Sequence, residues 1–299
     1  MNRFRPFPLP TRRFPPRWTI PPVGVRRRWW LEKRTVASLV VLGVIVVSAL
    51  CAPWLSPYDP LAMDPANRFA EPSLAHPCGT DLFGRDVFSR VLYGGRISLI
   101  TGLFAVLLAA IPGVMCGLGA GYFRGAVSAL VMRFMDVLLA FPGILLSLTI
   151  VALLGPSLLS VIVAVGIAGI PNYTRVVRGQ VLVVQRALFV RAARSVGAKR
   201  RRIIFRHILP NVLGSVVVLM TVDVAWAILS ASSLSFLGVG VQPPTPDWGV
   251  MLSEGRGYVY QAPWVTIAPG AALMLTILAI NFFGDSLRDG LDPRVKPRS

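Results

Sequence analysis

Six stretches of this chain are long and apolar enough to cross a bilayer, and nothing else in it narrows the possible folds so far. A hydrocarbon core about 30 Å thick needs about 20 apolar helical residues. Lipid offers no partners to backbone polar groups, so such stretches must be helical. Thr35 to Tyr58 carries no charge before Asp59 and predicts a first span over 35–55, closed by Pro53 and Pro57. Ile97 to Phe123 predicts the second. The run from Val137 to Thr174 is too long for one crossing; Gly155-Pro156-Ser157 divides it into spans near 127–154 and 158–178. His207 to Leu237, interrupted only by Asp223, predicts the fifth, and Gly257 to Gly284 the sixth. The expected fold is all-α and polytopic, with six transmembrane helices.

Charge then orients the chain. Lys and Arg outnumber Asp and Glu 31 to 13, a formal charge of +18, although 54% of residues are hydrophobic and the mean hydropathy is +0.64. So basic a chain invites a nucleic-acid reading. The cations lie in blocks between apolar runs, however, which is how membrane topology is encoded. The segment 1–34 holds ten, 175–206 holds ten with no acid, 285–299 holds four, and Arg124 and Arg133 add two. The opposite face holds Arg68, Arg85, Arg90, Arg96 and Arg256. Twenty-six against five predicts both termini in the cytoplasm of a bacterial inner-membrane protein. The resulting division is a tail 1–34, a first helix 35–55, an outer loop 56–95, a five-helix core 96–284 with a cytoplasmic loop 179–207, and a tail 285–299. The Arg/Pro-rich tail suits either anionic lipid headgroups or an extension without a role, and is too polar and proline-broken for a signal peptide.

Enzymatic chemistry finds little support. Cys51, Cys78 and Cys116 are isolated and read as packing residues. His76 and His207 fall on opposite sides of the membrane by this topology. Gly79 to Gly84 has G-x-x-x-x-G spacing, but Arg85-Asp86 follows where a phosphate loop needs Lys and then Ser or Thr. Lys33, Lys199 and Lys296 are the only lysines, and none lies in such a loop. Energy for any transport must then come from a partner or an ion gradient. Self-sufficient gradient-driven transport would predict an internal inverted repeat and intramembrane charges, and no repeat is evident. Two acids lie in or near spans. Asp136 is placed to pair with Arg133 at i, i+3, either orienting the third span or serving as a gate. Asp223 is deeper; acids in membrane helices usually face a cavity or the bundle interior, which points to the translocation path.

The basic segment from Leu188 to Asn211 reads as a short helix ending near Gly197, then a second helix running to Pro210. Ala193 and Gly197 share a face, and glycine can take the left-handed conformation that ends a helix. Ala192-Ala193-x-x-x-Gly197 followed by Ile208-Leu209-Pro210 resembles the loop of permease subunits of ATP-binding-cassette importers. Further stretches resemble the second permease subunit of the dipeptide/oligopeptide/nickel branch: His76 to Arg90 (H-x-x-G-T-D-x-x-G-R-D-V-x-S-R), Arg96 to Gly102, Arg133 to Pro142, Leu234 to Gly249 and Gly284 to Pro293. The likeness covers residues 35–293. It implies the type I importer permease fold, with Arg191, Ala192, Ala193, Gly197 and Ala198 docking an ATPase. It implies a second permease subunit, two ATP-binding subunits that hold ATP and magnesium, and an extracytoplasmic substrate-binding protein, with no cofactor or metal on this chain. By the same likeness Asp81, Arg85, Asp86, Gln242 and Trp248 shape the face that meets the binding protein. Arg191 and Ala231 stand where the family often carries Glu.

Overall fold

The computed structural model describes residues 32–123 and 125–291. Most of the expected tail 1–34 lies outside them, as do Arg124 and residues 292–299. Every regular element among the described residues is helical. The helices are α1 (Lys33–Leu50), α2 (Ala52–Leu55), α3 (Val87–Tyr122), α4 (Ala126–Leu139), α5 (Gly143–Leu154), α6 (Leu158–Val184), α7 (Leu188–Ser195), α8 (Arg200–Arg202), α9 (Leu209–Phe236), α10 (Trp248–Gly255) and α11 (Trp264–Leu291). A π-helical segment, Ile203–Ile208, joins α8 to α9 without a break.

Five helices are long and apolar enough to cross a membrane, and α4 with α5 makes a sixth crossing if taken as one bent span. The span expected over 127–154 is therefore not straight: α4 and α5 meet at 88°. Pro142, which has no N–H, starts α5 and forces the break at Ala140-Phe141. Three other boundaries shift. The second span begins ten residues early, at Val87, because the Asp86 carboxylate accepts from Ser89 N at 2.7 Å and caps the helix. The fourth runs on to Val184. The sixth is displaced to Trp264–Leu291, since α10 and a 3₁₀ turn (Arg256–Tyr258) occupy the preceding residues.

The centre of the bundle is α3 packed along α6. Ala109, Gly113, Gly117 and Gly121 fall four apart on α3 and face Gly169, Tyr173, Val177 and Val181 on α6. The constant offset means the two helices run parallel and in register. A Cβ on Gly117 would lie 2.7 Å from Val177 Cβ and 2.8 Å from the Thr174 carbonyl oxygen. The backbones thus approach as closely as small residues permit, which is how membrane helices associate without a hydrophobic driving force. α9 packs on both of these helices, α11 on α9, and α1 on α11 and α3 at the edge. The apolar Val36, Val40, Val44 and Val47 of α1 stay exposed, as a lipid-facing surface requires.

The stripe gives a direct test. Gly117→Ala should cost about 1–3 kcal/mol, because a packed interface must open to admit the methyl group. Gly119→Ala, with nothing within 4 Å of its added Cβ, should be near neutral. Melting of the two variants in detergent checks this; equal midpoints would contradict the close approach.

Candidate functional site

Three places collect the candidate residues: a hairpin at the end of the bundle near Tyr122 and Val184, a cavity inside it, and a cap at the opposite end.

The hairpin is built on a helix stop. Ala198 N donates to Ala193 O at 3.1 Å and Gly197 N to Arg194 O at 3.1 Å, with Gly197 at φ +75°. These are the two bonds of a Schellman turn, so the expected left-handed glycine is found. Val190 is fully buried in the same cluster as Ile203, Ile208 and Val212, anchoring α7 to the start of α9. Leu188, Phe189, Ala192 and Gly197 face outward, and Val196 is 84% exposed. Arg191 is exposed, while Ala193 and Ala198 are half-buried. Beside them Lys199, Arg201, Arg202 and Arg206 line an open basic groove. The second helix does not end at Pro210, as the sequence reading expected. Pro210 is the second residue of α9, directly after the π segment, and the chain continues as one rod to Phe236.

The cavity measures about 530 Å³ and lies between α3, the α4–α5 elbow, α6 and α9. Asp223 lines it with Asn172, Tyr173, Trp226 and Ser230. The Tyr173 hydroxyl is buried and near the Asp223 carboxyl, but outside standard hydrogen-bond geometry. Asp136 is not in the cavity and does not pair with Arg133. Its carboxylate accepts from Arg175 on α6 at 2.7 Å, across the interface of the two helices, and both side chains are about half exposed.

The cap is held by ions. Arg85 Nε donates to Asp81 at 2.6 Å, and both Arg85 and Arg90 donate to Glu254 of α10 at 2.9 Å. Two cations and two carboxylates thus close a neutral cluster. Asp81 also accepts from the backbone N–H groups of Phe83 and Arg85, folding the turn on itself. His76 Nδ1 lies 3.0 Å from Asp86. The glycines at 79 and 84 have φ +68° and +70°, and a Cβ on Gly84 would collide with the Asp64 backbone. Trp248 Nε1 donates to Val91 O at 3.0 Å and Trp264 Nε1 to Thr80 O at 3.1 Å, fastening α3 to α10 and the turn before α3 to α11. Asp247 caps α10 and accepts from Ser98 at 2.8 Å. Burial pushes its carboxyl above the usual range, opposed by the hydrogen bonds it accepts.

Residues 113–297 match the family model described as the binding-protein-dependent transport system inner membrane component. Residues 24–74 match the N-terminal transmembrane domain of oligopeptide transport permease C. This chain belongs to the binding-protein-dependent permease family. It is 47% identical over 271 residues to the glutathione transport system permease protein GsiD of Escherichia coli O6:K15:H31, covering 90% of this chain and 89% of that one. It is 45% identical to the GsiD of Pectobacterium atrosepticum, covering 90% of each. It is 44% identical over 265 residues to the dipeptide transport system permease protein DppC of Alkalihalophilus pseudofirmus, covering 89% and 87%.

In this permease the residues expected at the outer face mostly turn inward. Asp81, Arg85, Asp86 and Trp248 are all buried, so they build the cap rather than present it; Gln242 alone of the five is exposed. Sequence reasoning missed Glu254, which neutralises the two arginines, and Tyr173 and Asn172, which share the cavity with Asp223. Glu254 had one signal: it is an acid in an outer loop facing an arginine-rich one. Ala231, the second departure from the family pattern, is a buried packing residue of the central cluster.

The ion cluster predicts a large loss for a single deletion. Glu254→Ala leaves Arg85 and Arg90 to share Asp81, and removing one partner of a buried pair costs about 3–5 kcal/mol. Thermal melting in detergent should show it, together with faster proteolysis in the cap. A variant as stable as the parent would show the cluster to be incidental.

Proposed function

We propose that this chain is one of two membrane-spanning subunits of an ATP-binding-cassette importer, moving short peptides delivered by an extracytoplasmic binding protein. The observation that carries this reading is the α7 hairpin: a short helix stopped by a Schellman turn, anchored inward by Val190, with Leu188, Phe189 and Ala192 exposed beside Arg191 and Arg194. Such a helix offers a rigid surface for another protein to grip. The peptide class rests on relatives named for glutathione and dipeptide transport.

In this reading the hairpin and both termini lie in the cytoplasm, as the Lys/Arg excess favours. Two ATPase subunits bind and hydrolyse ATP, with magnesium, and this subunit carries no catalytic group. Displacement of α7 reaches the membrane through α9, which begins in the hairpin's own cluster and passes Asp223 on its way to the cap. The elbow between α4 and α5 is tied to α6 by the exposed Asp136–Arg175 pair. Such pairs contribute little in solvent, so the pair fits a contact that breaks and reforms as access alternates. Arg191 places a cation where relatives often carry Glu, so the docking partner should offer an acid or a neutral surface there.

Purification of the tagged chain from its own membranes in mild detergent should bring down a second multi-span permease and ATPases with phosphate loops. Recovery of the chain alone, with gradient-driven uptake after reconstitution, would refute the importer reading. Within the assembled complex, Gly197→Asp should lower uptake at least tenfold while membrane insertion persists. An aspartate at φ +75° strains the helix stop and adds bulk to the gripping surface. Normal uptake at normal protein level would remove α7 from the coupling path.

A further inference from the structure

The cavity beside Asp223 contains an electrostatic asymmetry that the bundle does not resolve. Among the described residues Asp223 has no cationic partner: its near polar neighbour is the Tyr173 phenol. The cations closest to it in sequence are Arg206 at one end of the α9 rod and Arg256 beyond the other, and the neighbouring Arg175 is engaged by Asp136. The Tyr173 side chain is fully buried, yet its hydroxyl makes no standard hydrogen bond. A buried hydroxyl left unpaired is destabilising, and an acid in a membrane helix is more expensive still. A buried hydroxyl without a standard hydrogen bond and a carboxylate without a cation thus share one cavity, whose remaining wall includes the Phe141 and Trp226 rings. Its volume, about 530 Å³, falls in the range of small-molecule sites.

We propose that Asp223, with Tyr173 and Asn172, forms a site for the α-ammonium group of a peptide in transit between this subunit and its partner permease. The carboxylate supplies the counter-charge and the phenol oxygen a second acceptor. The Asn172 carboxamide oxygen supplies a third. The Phe141 and Trp226 rings line the path for the side chains, which leaves the peptide's residues loosely specified while its free amino end is recognised. Dipeptides and glutathione both carry this group, so one site serves either. The assignment rests on the peptide-importer reading and adds to it the chemical group recognised inside the membrane.

The test uses the complete importer, purified with its partner subunits, reconstituted in proteoliposomes and supplied with its binding protein. Uptake of a radiolabelled dipeptide and of radiolabelled glutathione is measured beside ATP hydrolysis. Asp223→Asn should lower uptake of the transported probe at least tenfold, with binding-protein-stimulated hydrolysis and recovery of the assembled complex within twofold of the parent. Asp223→Glu should retain a third or more of uptake, and Tyr173→Phe should lower it severalfold. Unchanged uptake in Asp223→Asn overturns the site. Joint loss of uptake, hydrolysis and assembly also overturns it, because Asp223 would then be a structural contact to the partner subunit. A parent complex that moves neither probe overturns the peptide reading itself, and the site with it.

Discussion

Close backbone approach between α3 and α6 is the constraint on which the other contacts depend. Helices in lipid gain nothing from burying apolar surface against one another, since the tails are equally apolar. They gain from dispersion at short range, and the α3 stripe of Ala109, Gly113, Gly117 and Gly121 brings the α6 side chains within that range over four turns. Because the two helices run parallel, the chain must return across the membrane between them. The bent α4–α5 span is that return, and its bend opens the space that becomes the cavity. The rigid centre and the open flank are therefore two consequences of one packing choice.

The two ends of the bundle solve opposite problems. At the cap, the buried Asp81, Arg85 and Arg90 of α3 and the turn before it meet the half-buried Glu254 of α10, and the four charges sum to zero. The gain from such a cluster depends on every member being present, which makes the cap an all-or-nothing structure. At the hairpin, charge is unbalanced and exposed: the acid-free run from Arg175 to Arg206 has its cations largely on the surface. A surface so arranged stays hydrated, while Val190, the one fully buried residue of α7, and the half-buried Ala193 and Ala198 seat the hairpin.

How much of this was legible follows from which signals are local. Uncharged runs gave the helices, because exclusion of charge from lipid acts on each segment separately. The helix stop at Gly197 was legible for the same reason: its hydrogen bonds span five residues. The elbow escaped, since Ala140-Phe141-Pro142 carries no charge and counting charges is blind to it; Pro142 was the overlooked mark. The cap residues were misplaced because charged side chains default to the surface. Arg85 has Asp81 four residues away, but its second carboxylate, Glu254, lies 169 positions along the chain, and no local pattern announces such a pairing. Asp136 likewise took Arg175 on a neighbouring helix over Arg133 on its own.

α9 connects these places, and its irregular start explains how it can do so without rupture. Pro210 cannot donate to the preceding turn, so a regular α-helix entering α9 would leave a carbonyl unpaired in the bundle. The chain meets this with a π segment over Ile203–Ile208, whose wider turn shifts the hydrogen-bond register just before the proline. The same segment carries Ile203 and Ile208, which are buried in one cluster with Val190 of α7. The point at which the rod's hydrogen bonding is least regular is thus the point at which the hairpin grips it. Beyond Pro210 the rod continues as α-helix past Asp223 to Phe236, where Ser253 of α10 donates to its last carbonyl at 2.8 Å. In the proposed importer, a displacement of the hairpin would enter α9 through this π turn and reach the cavity wall along the helix.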